Sequence, residues 1–269
     1  MGLSDDAAVL AALEPLALAA GRRVMEIFVA GCVAEAKADA SPVTQADRDA
    51  EKIILDGLRR HFPEVPVVAE EEVAAGRLPE IVGDIFFLVD PLDGTREFVN
   101  RKTDFTVNIA LVRDGAPVVG VVYAPARNML YAGRPGHAEA ITTSADHMPL
   151  ERRRIVVREG RAPVRIVASR SHCTPETEAF IAEYGACERV SVGSSLKFCM
   201  LAAGEADLYP RFGRTMQWDT AAGDAVLRAA GGTTRMVDGS DFRYGRDIAT
   251  GDAPFANPHF VAEGRLTRG

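Results

Sequence analysis

The feature that most constrains this chain is an apolar run that ends in two acidic residues. Residues 85–89 are Ile-Phe-Phe-Leu-Val, and Asp-Pro-Leu-Asp-Gly-Thr follows directly at 90–95. A short apolar run of this composition predicts a strand that is buried on both faces. Pro91 cannot donate a sheet hydrogen bond, so we expect it to force the chain out of the sheet and to return Asp93 beside Asp90.

The segment 90–95 suits a cation and a phosphate together. Asp90 and Asp93 supply hard oxygen donors three residues apart, which divalent cations prefer. Gly94 permits a close backbone approach, and Thr95 begins a segment typical of a helical turn, whose free amides suit a phosphate. The alternative interpretation is an ordinary Asp-Gly turn followed by a Thr helix cap.

Composition restricts the class of protein. The chain has 269 residues, of which 47% are hydrophobic, and a formal net charge of −7. This length allows one large domain or two intimately packed ones. The acidic balance argues against a nucleic-acid partner, because duplex affinity depends on Lys and Arg at the phosphates. A phosphate ester enters an acidic site only when metal ions lie between the negative charges.

The cysteines and the start of the chain bear on location. Cys32, Cys173, Cys187 and Cys199 form no CxxC pair and no zinc-like cluster, which predicts free thiols in a reducing compartment. The chain does not open on a basic segment followed by an apolar run, and Glu14-Pro15 interrupts its first Ala-rich stretch. We therefore expect no signal peptide, no spanning segment and a cytoplasmic protein.

Apolar periodicity gives a coarse order of elements. It predicts helices over about 9–28, 44–62, 175–184, 196–203 and 220–230, and strands over 65–69, 85–89, 106–112, 117–123, 129–132, 165–168, 189–192 and 208–209. Asp114-Gly115 predicts a hairpin turn. The polar, Arg-rich region 142–162 predicts a division between an α+β half, 1–145, and an α/β half, 146–269, within one compact catalytic unit. We expect layered helices and sheets, with ligand groups where strand ends meet helix starts.

Three further acidic residues are candidates, and each has a simpler interpretation. Glu70 follows a predicted strand and could be a third carboxylate ligand, or could lie in a solvated acidic loop. Asp47 could hold a water network, or could complete a capping box with Thr44. Asp219 stands at a predicted helix start, where an N-cap is the simplest explanation, and only its combination with the 90–95 segment makes it a candidate metal ligand.

These residues carry a resemblance. The segments 90–95, 70–71 and 218–223 resemble the inositol monophosphatase superfamily, whose members are magnesium-dependent, lithium-sensitive phosphatases with a layered αβαβα sandwich. The resemblance spans nearly the whole chain. Within the superfamily the chain is similar to the CysQ-type 3'(2'),5'-bisphosphate nucleotidases of sulfur metabolism, through residues 41–44, 97–98, 105–111, 120–125, 169–172, 193–199 and 208–213. It departs at Arg96, where close relatives are expected to carry Lys, and the charge is kept.

The resemblance implies a set of roles. It assigns two or three Mg²⁺ ions per site to the metal ligands Glu70, Asp90, the Leu92 carbonyl, Asp93 and Asp219. It assigns the scissile phosphate to Gly94 and Thr95, and the orientation of a water activated near Glu70 to Thr95 and Asp47. It places Glu70, Leu92, Asp93 and Asp219 against the substrate as well, and the nucleotide against His172, Ser194, Lys197 and Arg211. Lys197 and Arg211 could instead be solvent-facing charges, and His172 a structural hydrogen-bonding residue.

The implied reaction is removal of the 3'-phosphate from adenosine 3',5'-bisphosphate, giving AMP and phosphate, with the 5'-phosphosulfate analogue as a second substrate. Rival hypotheses are an inositol or fructose bisphosphate phosphatase with the same metals, and a non-catalytic nucleotide sensor on the same fold. The sequence leaves the oligomeric state open, a homodimer included. Peripheral attachment at the inner face of the bacterial inner membrane, suggested for relatives, has no visible basis in the sequence.

Overall fold

The structure is a computed structural model that describes residues 3–37, 41–160, 162–168, 174–245 and 253–266. Its helices are α1 Asp6–Ala30, α2 Gln45–His61, α3 Glu70–Ala74, α4 Thr95–Val99, α5 Pro175–Ala182, α6 Leu196–Ala202 and α7 Gln217–Ala229. Its strands are β1 Glu35–Ala36, β2 Pro42–Val43, β3 Val67–Ala69, β4 Ile85–Asp93, β5 Thr106–Arg113, β6 Ala116–Ala124, β7 Met129–Arg134, β8 His137–Thr143, β9 Pro149–Arg154, β10 Val164–Ala168, β11 Cys187–Ser191, β12 Leu208–Arg211, β13 Thr233–Met236 and β14 Phe260–Glu263.

The first sheet has seven strands in the order β3-β4-β5-β6-β7-β8-β9. β3 and β4 are parallel and the remaining neighbours are antiparallel. The predicted hairpin turn is confirmed, since Asp114 and Gly115 link β5 to β6 with φ values of +52° and +75°. Positive φ at both central positions is what the tight turn between two right-twisted strands requires.

Strand β4 is longer than predicted. The sequence predicted that Pro91 takes the chain out of the sheet after Val89, but β4 continues to Asp93. The pairing with β5 is interrupted between Asp90 and Asp93 and resumes where Asp93 lies opposite Thr106. Pro91 removes one ladder hydrogen bond and distorts the register locally, while the apolar flanks keep the strand in the sheet.

The second sheet has five strands in the order β11-β10-β12-β14-β13. β10 is parallel to β11 and β12, whereas β14 runs antiparallel to β12 and β13. Because β9 still belongs to the first sheet, the change of sheet comes between residues 154 and 164. That is later than the predicted division at residue 145, since the exposed, Arg-rich edge strand β9 lacks the apolar pattern that marks a strand in the sequence.

The layers follow from the packing. α1 and α2 cover one face of the first sheet, and α7 covers the other face while α6 and α7 also reach the second sheet. α5 packs on the outer face of the second sheet through Ile181, which clusters with Ile166 and Leu208. A Cβ on Gly120 would lie 2.4 Å from the Ala222 carbonyl oxygen, so a glycine lets α7 approach β6 closely. The order is therefore helix, sheet, helix, sheet, helix, and it brings the start of α7 to the end of β4.

Candidate active site

The parallel pair β3 and β4 places two acidic residues at one edge of the first sheet. Ala69 lies opposite Val89, so Glu70 and Asp90 follow paired residues at the same level of the sheet. The prediction that both acidic segments lie at strand ends is confirmed for Glu70, which follows β3, whereas Asp90 lies within β4 and Asp93 is at its end. Glu70 begins α3, and its side chain is only 24% exposed. The interpretation of Glu70 as part of a solvated acidic loop is therefore wrong.

Local contacts fix the irregular end of β4 and the turn that follows it, residues 90–95. Asp90 is 1% exposed, and its Oδ1 accepts the backbone N–H of Leu92 at 3.0 Å. Gly94 has a φ of +93°, and a Cβ there would lie 2.8 Å from the Asp104 carbonyl oxygen. Only glycine fits both the left-handed backbone and this close approach. Thr95 then begins the short helix α4, as the sequence predicted.

The Thr95 hydroxyl links this turn to α2. Thr95 Oγ1 lies 3.0 Å from both the Leu92 carbonyl oxygen and Asp47 Oδ1. Asp47 Oδ2 accepts the N–H and the hydroxyl of Thr44, each at 2.7 Å, which completes the capping box of α2. Burial raises the pKa of Asp47, against the hydrogen bonds that it accepts from Thr44 and Thr95. Asp47 therefore caps its helix with one oxygen and faces the turn at 90–95 with the other.

Asp219 reaches the site from the second half of the chain. The simpler interpretation of Asp219 as an N-cap is wrong, since α7 begins at Gln217 and Asp219 is its third residue. Its Oδ2 accepts the backbone N–H of Met216 at 2.8 Å, which is how an acidic side chain one turn into a helix satisfies a free amide. Helix α7 therefore begins before the predicted start at Thr220, and its first turn includes Trp218, which is buried.

The acidic side chains repel one another. Burial raises the pKa of Asp90 well above its ordinary value, and Glu70, Asp93 and Asp219 raise it further. The pKa of Asp219 is raised to about 8 by burial and then by Asp93 and Glu70. Burial likewise raises the pKa of Glu70. Carboxylates drawn from β4, α3 and α7 thus share one electrostatic neighbourhood, which favours a cation.

Lys37 supplies a positive charge at this position, and sequence reasoning missed it. Its Nζ lies 2.6 Å from Glu70 Oε1 and 2.5 Å from Glu71 Oε1. Burial lowers the pKa of Lys37, but the two glutamates outweigh that effect and raise the pKa above its ordinary value. A lone Lys between two short strands carries no pattern that marks it as part of a site, so only the fold reveals its role.

Whether the acidic residues fit a metal depends on their present partners. In the described part of the chain, no group of three or more His, Cys, Asp or Glu side chains is positioned to hold a metal ion. Lys37 holds Glu70, while the Ser194 hydroxyl and the Ser195 N–H each donate to Asp93 Oδ2 at 2.7 Å. The donors are nevertheless hard carboxylate oxygens whose mutual repulsion a divalent cation relieves. The set fits such an ion chemically, provided that Lys37 releases Glu70.

A cleft of about 540 Å³ opens over these residues, and acidic and basic side chains both line it. We call the lining residues Glu70, Asp93 and Asp219, together with Asp90, the acidic end of the site, and the lining residues Lys197 and Arg211 its basic end. Lys197 and Arg211 are 6% and 9% exposed, so their interpretation as solvent-facing charges is wrong. Lys197 Nζ donates to the Ser194 carbonyl oxygen at 2.6 Å and lies 5.4 Å from the centre of the Tyr209 ring. Burial lowers the pKa of Lys197 to about 8.

The remaining predicted nucleotide contacts differ in what the structure says of them. Ser194 lines the cleft, but its hydroxyl is committed to Asp93 and also contacts the hydroxyl of Thr106. Its backbone has a φ of +57°, the left-handed conformation that non-glycine residues seldom adopt. His172 lies outside the described residues.

Comparison with known proteins decides the family. The inositol monophosphatase family matches residues 5–267. The chain belongs to the inositol monophosphatase family. It is 42% identical over 247 residues to the 3'(2'),5'-bisphosphate nucleotidase CysQ of Escherichia coli strain K12, covering 91% of this chain and 95% of that protein.

Solved structures of family members share the fold. CysQ from Bacteroides thetaiotaomicron superposes with a TM-score of 0.78 at 37% identity, covering 98% of this chain and 99% of that one. The inositol monophosphatase of Anabaena gives a TM-score of 0.71 at 26% identity, covering 96% and 91%. The predicted αβαβα architecture is confirmed. Among the described helices, none is both long enough and apolar enough to cross a membrane.

Proposed function

We propose that this family member is a magnesium-dependent 3'(2'),5'-bisphosphate nucleotidase that hydrolyses the 3'-phosphate of adenosine 3',5'-bisphosphate to AMP and phosphate. The 5'-phosphosulfate analogue is a second substrate of the same kind. The observation that carries the proposal is one cleft lined both by the carboxylates of Glu70, Asp93 and Asp219 and by the buried cations of Lys197 and Arg211. A substrate with two phosphates presents one to the metal-binding end and the other to Lys197 and Arg211. The relatives named for this activity support the same choice.

Magnesium is the metal that we propose, with two or three ions held by Glu70, Asp90, the Leu92 carbonyl, Asp93 and Asp219. Carboxylate and carbonyl oxygens are its usual protein ligands. When bound, magnesium neutralises the phosphate charge and makes a neighbouring water more acidic. The same carboxylates without a cation would repel the substrate.

The side chains of the turn then orient the reaction. Gly94 and Thr95 offer backbone N–H groups at the start of α4 to the phosphate oxygens, where negative charge develops. The Thr95 hydroxyl and Asp47 Oδ1, 3.0 Å apart, form a pair that holds the attacking water and accepts its proton near Glu70. Asp47 suits this role because its other oxygen is fixed by Thr44 and cannot swing away.

The same proposal covers the binding partner of the protein and its location. A small nucleotide bisphosphate is the partner, and the acidic chain, with a net charge of −7, does not suit a nucleic acid. The three cysteines that the structure describes are free thiols. A reducing compartment such as the cytoplasm belongs to the same proposal. A homodimer and peripheral attachment at an inner membrane remain predictions.

A substrate panel tests the activity. Phosphate release is measured from adenosine 3',5'-bisphosphate, inositol 1-phosphate and fructose 1,6-bisphosphate, each with magnesium and with a chelator. We expect kcat/KM to be at least about tenfold higher for the nucleotide than for inositol 1-phosphate, which lacks a second phosphate, since one extra charged contact is worth that much. Activity should disappear with the chelator. A preference for either sugar phosphate, or nucleotide binding without release of phosphate, contradicts the proposal.

A further inference from the structure

A buried amide lies next to the acidic end of the cleft and takes no part in the chemistry above. Asn108 on β5 is 1% exposed and lies directly opposite Asp90 on β4. Residues opposite each other in an antiparallel pair point their side chains to the same face of the sheet. Asn108 and Asp90 are therefore neighbours on the face that the site occupies.

Asn108 begins a chain of hydrogen bonds that ends on Asp219. Its Nδ2 lies 3.0 Å from Ser195 Oγ, and Ser195 Oγ lies 2.5 Å from the main-chain carbonyl oxygen of Asp219. Ser195 is 2% exposed, and its backbone N–H donates to Asp93 Oδ2 at 2.7 Å. Two side chains thus connect the segments that carry Asp90, Asp93 and Asp219.

The direction of these bonds is fixed by counting protons. A carbonyl oxygen can only accept, so the one hydroxyl proton of Ser195 goes to Asp219. Ser195 Oγ must then accept from Asn108, which requires the amide nitrogen of Asn108 to face it. The arrangement leaves Asn108 Oδ1 as a buried acceptor, and it has no hydrogen-bond partner among the described residues. A buried acceptor of this kind is costly unless a donor, such as a water carried by a cation, occupies the site.

We propose that Asn108 and Ser195 are positioning residues that fix Asp219 relative to Asp90 and thereby set the affinity for the divalent cation. The proposal rests on the proposed function only in taking magnesium as the ion. Asp90 lies on strand β4 and Asp219 on helix α7, more than a hundred residues apart in the chain. Hydrogen bonds across that gap hold their separation when the carboxylates would otherwise move apart under mutual repulsion.

The test measures binding of magnesium alone to the full chain by calorimetry, without substrate. Ser195→Ala removes both hydrogen bonds of the Asn108–Ser195–Asp219 relay, and Asn108→Ala removes only the one from Asn108 to Ser195. Each variant therefore tests the relay even when the other folds poorly. We expect the magnesium Kd to rise about tenfold or more, as for other groups that support metal ligands. Ser195→Thr keeps the hydroxyl and should restore the affinity. In turnover assays the loss should be largest at low magnesium and should shrink as magnesium saturates.

A matched control separates positioning from general stability. Thr234 lies on β13, is 2% exposed and donates its hydroxyl at 2.7 Å to Oδ1 of Asp224, which is on the same helix α7 as Asp219. Neither Thr234 nor Asp224 lines the cleft. Thr234→Val should lower Tm and leave the magnesium Kd unchanged. Unchanged magnesium binding in both relay variants, or an equal loss in Thr234→Val, overturns the proposal, as does a wild-type chain that binds no magnesium. Magnesium binding without nucleotide hydrolysis would contradict the proposed function and leave the relay intact.

Discussion

The acidic and the basic residues that line the cleft carry opposite charges, and burial affects each group in its own way. At the acidic end burial and like charges raise the pKa of Asp90 and bring that of Asp219 to about 8. At the basic end burial lowers the pKa of Lys197 to about 8. Each end holds charges that are costly to bury alone. The difference shows that the acidic end favours a cation and the basic end favours an anion. A bound metal supplies the cation, and a second phosphate of the substrate supplies the anion.

The ends also differ in what holds them in place without a ligand. The acidic end has an internal counter-ion, because Lys37 bridges Glu70 and Glu71. At the basic end the cations of Lys197 and Arg211 donate to backbone carbonyl oxygens, namely those of Ser194, Gly213 and Arg214. A carbonyl carries only a partial charge, so the basic end remains strongly attractive to an anion. The acidic end must first exchange its lysine for a metal.

The largest expected effect comes from Asp90→Asn at the acidic end. Removing the buried carboxylate that neighbours Glu70, Asp93 and Asp219 should lower magnesium-dependent kcat by about 10³-fold, because metal stabilisation of the developing charge is worth several kcal/mol. The fold should persist, since the change removes one of several mutually repelling charges.

Asp207→Asn is the matched control for that experiment. Asp207 is also 1% exposed, but it pairs with Arg158 away from the cleft. This variant should lose stability and keep its turnover. Phosphate release and circular dichroism are measured for both. Near-normal turnover in Asp90→Asn would remove the acidic end from the mechanism.

The next effect concerns the basic end. Lys197→Met keeps the length of the side chain and removes its charge, so KM for adenosine 3',5'-bisphosphate should rise about 10-fold to 100-fold, the value of a charged hydrogen bond. KM for adenosine 3'-monophosphate, which lacks the second phosphate, should change little. Lys102→Met, at the exposed rim of the same cleft, provides the control. An equal rise in KM for both substrates would show that Lys197 does not bind the second phosphate.

The pH dependence of the metal-free protein tests the acidic end as a whole. The folded state raises the pKa of Asp219 to about 8 and that of Glu51 to about 7, each mainly through burial. Between pH 4 and pH 8, roughly, the folded protein holds protons that the unfolded chain has released, so stability falls as pH rises through this window. We expect Tm with a chelator to drop by on the order of 5 °C from pH 5.5 to pH 8.5.

Magnesium should reverse this loss, and more strongly at pH 8.5, because binding displaces the protons. Calorimetric scans with and without magnesium measure both effects. Glu51→Gln removes one titrating group and should flatten the decline. A Tm that is constant or increases with pH in the chelated protein contradicts the assignment of these buried carboxyl groups.

The smallest effect sharpens the contrast between the ends. Lys37→Gln removes the internal counter-ion, so magnesium should bind several-fold more tightly, while the chelated protein loses stability, because a partly buried ion pair is lost. Lys52→Gln serves as control, since Lys52 pairs with Asp56 on the surface and such pairs contribute little. Both affinities are read by calorimetry. Weaker magnesium binding in Lys37→Gln would mean that Lys37 supports the metal rather than competing with it.

Much of the acidic end could be predicted from the sequence because its signals are local. An apolar strand followed by Asp-Pro-Leu-Asp-Gly-Thr indicates both the buried sheet and the turn, and the Asp-Gly hairpin at 114–115 was correct to the residue. The capping box that Thr44 and Asp47 form lies within four residues and was also visible. The roles of the predicted ligands toward metal and substrate stay predictions, and the variants above test them.

The sequence by itself determined that a buried strand ends in paired carboxylates, and which family pattern those residues fit. Only the tertiary structure decided that Lys37 holds Glu70, that Asn108 and Ser195 connect β5 to α7, and that Lys197 and Arg211 are buried. The physical reason is distance along the chain. Hydrophobic periodicity and turn chemistry act between near neighbours, whereas these contacts join residues that only the packing of helices and sheets brings together.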